Sequence, residues 1–186
     1  MKRSAFGVAA LALALTVGAS TAQAQRPVSF GISAGASVPT GDLSDVQSLG
    51  YNVTGSVGYS MPAMPVSFRV DGMWNQLSGK TLEGATEALP SVRTMALTAN
   101  AAYTLPGVAV RPYVIGGVGM YSSKADVDGA ESSSDFGLNG GVGVRFALGG
   151  LSTFAEARFH NIFVKDELSG EKANVQFSPI TFGIQF

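Results

Sequence analysis

The sequence predicts an all-β fold, an eight-stranded antiparallel up-and-down transmembrane β-barrel. Two observations point to it: eight segments in which apolar and polar side chains alternate with a period of two, and connections between them that are short and long in turn. A third is that no segment after residue 24 has 18 consecutive apolar residues, so membrane-spanning helices are not expected there.

Residues 1–24 have the pattern of a cleaved Sec signal peptide. Lys2 and Arg3 precede an apolar run over residues 5–17, and a small-residue cleavage site follows at 22–24. We expect the mature chain to form one outer-membrane barrel domain over residues 25–186. A retained anchor helix is the alternative, but the apolar run is shorter than the roughly 20 residues that cross a bilayer.

The eight alternating segments are each long enough to cross a bilayer as a tilted strand of about 9 to 11 residues. The second, fourth and sixth connections are short, whereas the first, third, fifth and seventh run ten residues or more. Short periplasmic turns alternate in this way with long external loops in outer-membrane barrels. The predicted strands are 28–38, 50–60, 66–77, 92–104, 110–122, 135–147, 152–164 and 175–186.

Each strand has an apolar and a polar parity, best seen in residues 66–76, 136–146 and 180–186. The polar parity is rich in glycine, serine and threonine, which suit the narrow interior of an eight-stranded barrel, so we expect the apolar parity to face lipid. Aromatic residues of the apolar parity near the short turns would then form a girdle at the membrane interface. These residues are Phe30, Tyr59, Phe68, Tyr103, Phe146 and Phe186.

The strands also contain charged residues, which we expect to meet in the lumen, where Asp71 and Glu156 would bridge several arginines. The structural interpretation is a polar core that fills the lumen, and the functional one is a gate or a narrow path that favours anions. Eight strands leave room for little more than side chains, which favours the first. The predicted charge network comprises Arg69, Asp71, Arg111, Arg145, Glu156, Arg158 and His160, and Arg93 is expected to point inward with them.

Two strands depart from simple alternation. Phe154 shares the parity of Glu156 and Arg158, which indicates either a bulge or an aromatic ring in the lumen. Pro179 cannot donate to a β-ladder, so the regular part of the last strand is expected to begin just after it.

Three stretches resemble the outer-membrane β-barrel domain family, which includes opacity-type proteins and small OmpA-like and OmpX-like barrels. They lie at 112–119, 154–160 and 180–186, and the resemblance extends over residues 26–186. It implies a bacterial outer-membrane location, with Ile184 and Phe186 as the assembly signal for the barrel-assembly machinery. The implied partners are that machinery, periplasmic chaperones during biogenesis, and outer-membrane lipid with lipopolysaccharide.

His160, the only histidine, is the one candidate for catalysis, because some eight-stranded barrels are lipid-modifying enzymes with a serine, a histidine and an acid. Its partners would be Ser169 with Glu167 or Glu171. A nucleophile needs its base within hydrogen-bond reach, which a separation of nine residues does not establish. The inward parity of His160 also directs it away from lipid, so no catalytic residue is expected.

The expected function is non-enzymatic, namely a structural role or surface interaction through the external loops. Those loops contain ten acidic residues and four lysines, a net charge of −6. The mature chain has a formal charge of −3, which argues against a nucleic-acid partner. The alternatives are a small solute or ion channel, porin-like, and a lipid-modifying enzyme. No cofactor and no metal site are expected, and the sequence does not identify an external ligand.

Overall fold

The computed structural model describes residues 27–82, 84, 86–127, 129–148, 151–165 and 172–186. These residues form eight strands and one short helix. The elements are β1 (Val28–Thr40), α1 (Leu43–Val46), β2 (Gln47–Ser60), β3 (Val66–Gly79), β4 (Val92–Thr104), β5 (Val110–Ala125), β6 (Ser133–Leu148), β7 (Leu151–Lys165) and β8 (Lys172–Gln185).

The predicted fold is confirmed: each strand pairs antiparallel with its neighbours in sequence, and β1 pairs with β8 to close the barrel. The closing pair runs from Gly31 opposite Gln185 to Thr40 opposite Gln176. Closure leaves no free sheet edge, as a membrane requires of any β-structure because lipid cannot hydrogen-bond to the backbone. In the pairing of β2 with β3 the register shifts between Ser48 and Tyr51, at the end that carries the long loops.

The strands are longer than predicted at that same end. β1 extends to Thr40, β2 begins at Gln47, β5 extends to Ala125, and β8 begins at Lys172. The first connection is therefore only residues 41–46, much of it helix α1, while the third remains long at 80–91. None of the described helices is long and apolar enough to span a membrane.

The two parities of each strand face opposite sides of the barrel wall. Apolar side chains point outward: Ile32, Leu97 and Val142 are 52%, 64% and 59% exposed. Polar side chains point inward, where Asn52 and Thr98 are buried. An apolar exterior around a polar interior is the inverse of a soluble barrel and is the arrangement expected in lipid.

The structure shows how the barrel accommodates Phe154 and Pro179, the two departures from simple alternation. Phe154 is an aromatic in the lumen, buried beside Arg69, and the pairing of β6 with β7 keeps one register past it. Pro179 lies inside β8, not before its regular part. The ladder to β7 keeps the same register on both sides of the proline and lacks only the pairs at Ser178 and Pro179, so the missing N–H interrupts the ladder without ending the strand.

Candidate functional site in the barrel lumen

Four charged residues of β3 and β7 form an ionic ring across the lumen: Arg69, Asp71, Glu156 and Arg158. Arg69 Nη2 donates to both oxygens of Glu156, at 2.8 Å and 2.9 Å, and Arg69 Nε lies 2.9 Å from Asp71 Oδ1. Arg158 Nη2 contacts Asp71 Oδ2 at 2.5 Å, and Arg158 Nε donates to Glu156 Oε1 at 2.6 Å. Each arginine thus bridges both carboxylates, and the charges alternate around the ring.

The alternation of side chains along a strand produces this ring. Residues two apart on one strand point to the same face, so Arg69 and Asp71 both enter the lumen from β3, as Glu156 and Arg158 do from β7. β3 and β7 are four strands apart in an eight-stranded barrel and therefore stand on opposite walls. The ion pairs between them cross the full width of the lumen.

Neutral side chains add further hydrogen bonds to the ring. Tyr113 donates its hydroxyl to Glu156 Oε2 at 2.6 Å, and Asn100 Nδ2 donates to Asp71 Oδ2 at 3.0 Å. Arg158 Nη1 donates to Asn139 Oδ1 at 3.4 Å. Buried charges are tolerated only when paired and hydrogen-bonded in this manner. The cavity beside the ring is about 20 Å³, the room that one water molecule needs.

A second layer, the apolar plug, fills the lumen between the ionic ring and the external loops. Tyr121 and Phe177 are fully buried there, and His160 is 1% exposed. The His160 ring stacks on Phe177 at 5.0 Å, and its Nδ1 shares a hydrogen bond with the Tyr121 hydroxyl at 2.9 Å. The other buried apolar residues of this layer are Met73, Leu77, Ala96 and Ile162.

The sequence analysis did not anticipate the apolar plug, because it assigned the inward parity to polar residues as a class. A sufficient signal was present. Met73 and Leu77 share the parity of Arg69, and Ile162 shares that of Glu156, so the inward positions of β3 and β7 change from charged to mostly apolar toward the external end.

The structure does not bring all the predicted network residues together. Arg69, Asp71, Glu156 and Arg158 form the ring, but His160 belongs to the apolar plug. Arg145 lies nearer the short turns, where its guanidinium stacks 4.6 Å from the Tyr113 ring centroid and donates to Thr104 at 3.2 Å.

The remaining two arginines lie outside the lumen interior. Arg111 shares the parity of Tyr113 but is exposed at the end with the short turns. Arg93 shares the parity of Met95 and points outward, over the ring of Trp74 at 5.2 Å. Its charge suggested the lumen, yet a long cationic side chain is also tolerated at the membrane interface, where the head group reaches water.

The predicted aromatic girdle lies on the outer surface near the short turns. Tyr59 pairs with Phe68 across β2 and β3, and the rings of Phe146 and Phe182 are 6.0 Å apart. The terminal Phe186 exchanges two backbone hydrogen bonds with Phe30 and is itself exposed, whereas Ile184 is half-buried.

A second aromatic belt lies nearer the long loops on the same outward face, and the sequence analysis missed it. Its members are Tyr51, Trp74, Phe136 and Phe163, and all four are exposed, from 37% to 54%. Phe136 stacks on Phe163 with their centroids 6.5 Å apart. Two belts on one outward face are typical of a barrel that spans a bilayer.

The proposed catalytic partners of His160, namely Glu167, Ser169 and Glu171, lie outside the described residues. His160 itself is enclosed in the lumen, with one ring nitrogen bonded to Tyr121 and one ring face covered by Phe177. Within the part of the chain that the structure describes, no three His, Cys, Asp or Glu side chains are grouped to hold a metal ion.

The family comparison agrees with this geometry. A model of the outer membrane protein beta-barrel domain matches residues 9–186, nearly the whole chain. The chain belongs to that family. This outer-membrane barrel is accordingly located in the bacterial outer membrane. Barrels of this kind have their short turns toward the periplasm and their long loops outside, which is the orientation we assign here.

Solved structures share the fold of this outer-membrane barrel at low sequence identity. Neisserial surface protein A (NspA) aligns with a TM-score of 0.64 and 16% identity over 86% of this chain and 96% of its own. OprG from Pseudomonas aeruginosa aligns with a TM-score of 0.51 and 15% identity over 85% of this chain and 95% of its own. A major outer membrane protein from Thermus thermophilus aligns with a TM-score of 0.50 and 16% identity, over 87% and 99%. A search of curated proteins gave no match.

Proposed function

We propose that this protein is a non-enzymatic, non-conducting outer-membrane barrel that stabilises the envelope and presents its acidic loops to the exterior. The observation that supports the closed state is the ionic ring, which joins β3 to β7 across the lumen. An ion entering the barrel would have to displace Arg158, which is held by Asp71 and Glu156 at 2.5 Å and 2.6 Å.

The apolar plug makes the closed state independent of the ionic ring. Tyr121, His160 and Phe177 pack together in the lumen, on the side of the ionic ring that faces the external loops. Among buried aromatic side chains, water loses hydrogen bonds and ions lose their hydration. This layer therefore adds a second barrier in series with the ring. A channel would need a continuous polar path, and the two layers interrupt it at different depths.

The acidic loops support the surface role. The acidic side chains of the external loops are exposed wherever the structure describes them, and the lysines among them do not balance their charge. Loops on a rigid barrel are the usual place for binding residues, because the scaffold tolerates their variation. The described loop acids are Asp42, Asp45, Glu87, Asp126 and Glu131.

The closed lumen is tested by solute flux. Proteoliposomes that contain the mature barrel and an entrapped small fluorescent dye are expected to release the dye no faster than protein-free liposomes. Equal amounts of an established porin provide the positive control. Release that increases with the amount of folded barrel would contradict the proposal and support a channel.

The surface role is tested by neutralising the five described loop acids to Asn or Gln in cells that express the barrel. Attachment of these cells to polylysine-coated and fibronectin-coated glass is then compared with that of wild type and of cells lacking the barrel. The periplasmic variant Arg111→Gln serves as a control, because it also alters one exposed charge but at the other end of the barrel. The proposal expects attachment to fall both in the neutralised variant and in cells lacking the barrel, and to be unchanged in Arg111→Gln. Equal attachment in all strains would refute the surface role.

A further inference from the structure

Two cations lie side by side on the outward face of the barrel. Arg93 of β4 and Lys124 of β5 are register partners, and each shares the parity of exposed apolar residues, Met95 and Met120 respectively. Like charges directly opposite each other on adjacent strands destabilise a sheet. Asp126 follows Lys124 closely, yet among the residues that the structure describes no carboxylate forms an ion pair with either cation.

The height of this cation pair on the barrel wall places it at the outer membrane surface. Tyr103 belongs to the periplasmic girdle and lies on the same strand as Arg93, ten residues away. Ten residues of a strand tilted by about 40° rise roughly 25 Å along the barrel axis. The apolar band of an outer-membrane barrel is about that tall, so Arg93 and Lys124 lie among the head groups of the outer leaflet.

An apolar groove lies in the barrel wall directly below the cations. Its floor is the glycine pair Gly55 and Gly72 of β2 and β3, at each of which a Cβ would meet no atom within 4 Å. The sides of the groove are apolar and exposed to lipid. They include Val53, Trp74, Met95, Leu97 and Met120.

Trp74 connects the groove to the cation pair. Its ring borders the groove, and the Arg93 guanidinium lies over it at 5.2 Å. This cation–π contact fixes Arg93 against the barrel surface, so its guanidinium is held at the upper end of the groove and does not extend freely into water.

We propose that this surface is a binding site for lipopolysaccharide of the outer leaflet. A lipid phosphate would lie between Arg93 and Lys124, and one acyl chain of the same molecule would lie in the groove. Arginine and lysine both bind phosphate through charge-assisted hydrogen bonds, and a phosphate would relieve the repulsion between the two cations. Because the site is on the outer wall, the inference does not depend on whether the lumen conducts.

The protein provides its own reporter for a binding experiment, since Trp74 is its only tryptophan. The mature barrel is reconstituted in phosphatidylcholine nanodiscs, and purified lipid A with both phosphates is titrated in while Trp74 fluorescence is recorded. Lipid A retained by the barrel is counted separately by native mass spectrometry, which does not depend on the tryptophan.

Wild type is expected to give a saturable fluorescence change and to retain lipid A. The double variant Arg93→Gln/Lys124→Gln should need a roughly thirtyfold higher lipid A concentration, because each cation near an anionic lipid surface contributes about 1 kcal/mol and two are removed. Dephosphorylated lipid A should bind wild type as weakly as phosphorylated lipid A binds the double variant. Arg111→Gln is the matched control and should behave as wild type.

The groove is tested by Gly72→Leu, which places a side chain in open space on the outward face. The variant should fold as wild type does, shown by its retained compact mobility on an unheated gel, but should retain less lipid A. The proposal is overturned if the double variant binds as wild type does, or if dephosphorylated lipid A binds equally well. Unchanged lipid A retention in a folded Gly72→Leu barrel would likewise overturn the assignment of the acyl chain.

Discussion

Arg69 of β3 and Glu156 of β7 stand on opposite walls of the barrel and are joined by two hydrogen bonds of 2.8 Å and 2.9 Å. Their strands are not hydrogen-bonded neighbours, so this contact connects parts of the wall that the ladders leave independent. The ionic ring to which it belongs therefore both blocks the lumen and ties the two sides of the barrel together.

Arg158→Leu is expected to destabilise the barrel strongly, because it leaves two buried carboxylates with one arginine. Breaking a buried ion pair by removing one partner costs about 3 to 5 kcal/mol. The measurement is urea unfolding of the barrel in phospholipid vesicles. Arg111→Leu is the control and should change stability by less than about 0.5 kcal/mol, since Arg111 is exposed. Similar effects from the two variants would show that the ring contributes nothing particular to stability.

Tyr113→Phe removes the hydroxyl that donates to Glu156 Oε2 at 2.6 Å. A hydrogen bond to a charged group contributes about 1.5 to 3 kcal/mol, so the free energy of unfolding should fall by that amount. The same change at Tyr103, on the outward girdle, is the matched comparison and should have a much smaller effect. Equal losses at both positions would contradict the role assigned to the Tyr113 hydroxyl.

Gly143→Ala should destabilise the barrel even though alanine suits a strand better than glycine does. A Cβ at Gly143 would overlap the ring of Tyr113, and overpacking of a filled interior costs about 1 to 3 kcal/mol. On the same strand, the nearest atom to a Cβ at Gly140 is 3.8 Å away, so Gly140→Ala should be tolerated. Thermal unfolding of both variants in the same vesicles makes the comparison; a tolerated Gly143→Ala would mean that Tyr113 is not held as described.

The lipid A of cells should not depend on His160. Mass spectrometry of lipid A from cells without the barrel, with wild type and with His160→Ala is expected to give the same acylation pattern, because His160 is enclosed between Tyr121 and Phe177 and does not reach lipid. An acyl chain lost in wild type and restored by His160→Ala would instead establish an enzyme.

Much of this architecture can be read from the sequence, and the differences have physical causes. All eight strands are predicted because apolar and polar side chains alternate wherever a strand crosses the membrane, since the side chains that face lipid must be apolar there. The strand ends are missed at the external side, as at Ser133 and Ser134, because beyond the bilayer the ladder continues while the outward side chains become polar. Hydrophobic periodicity reports the membrane boundary, not the end of hydrogen bonding.

The ionic ring is predictable in kind because two acids cannot remain buried unless arginines pair with them. Which residues form the ring cannot be predicted, since the sequence does not show the height of each residue along the barrel axis. Arg111 and Arg145 lie nearer the periplasmic end than the ring, and His160 lies in the apolar plug. Arg93 is expected in the lumen because it is charged, but it points outward. A charged residue at the height of the membrane interface can face either side of the barrel wall, so charge alone does not predict its direction.

The most direct test of the closed barrel is single-channel recording of refolded residues 25–186 in planar bilayers. Wild type should be silent, and Glu156→Ala/Arg158→Ala should remain silent as well, because the apolar plug still closes the lumen. Conductance should appear only when Tyr121→Ala and Phe177→Ala are added, in protein shown by circular dichroism to retain its β-structure. Reproducible conductance steps from folded wild-type protein would contradict the account.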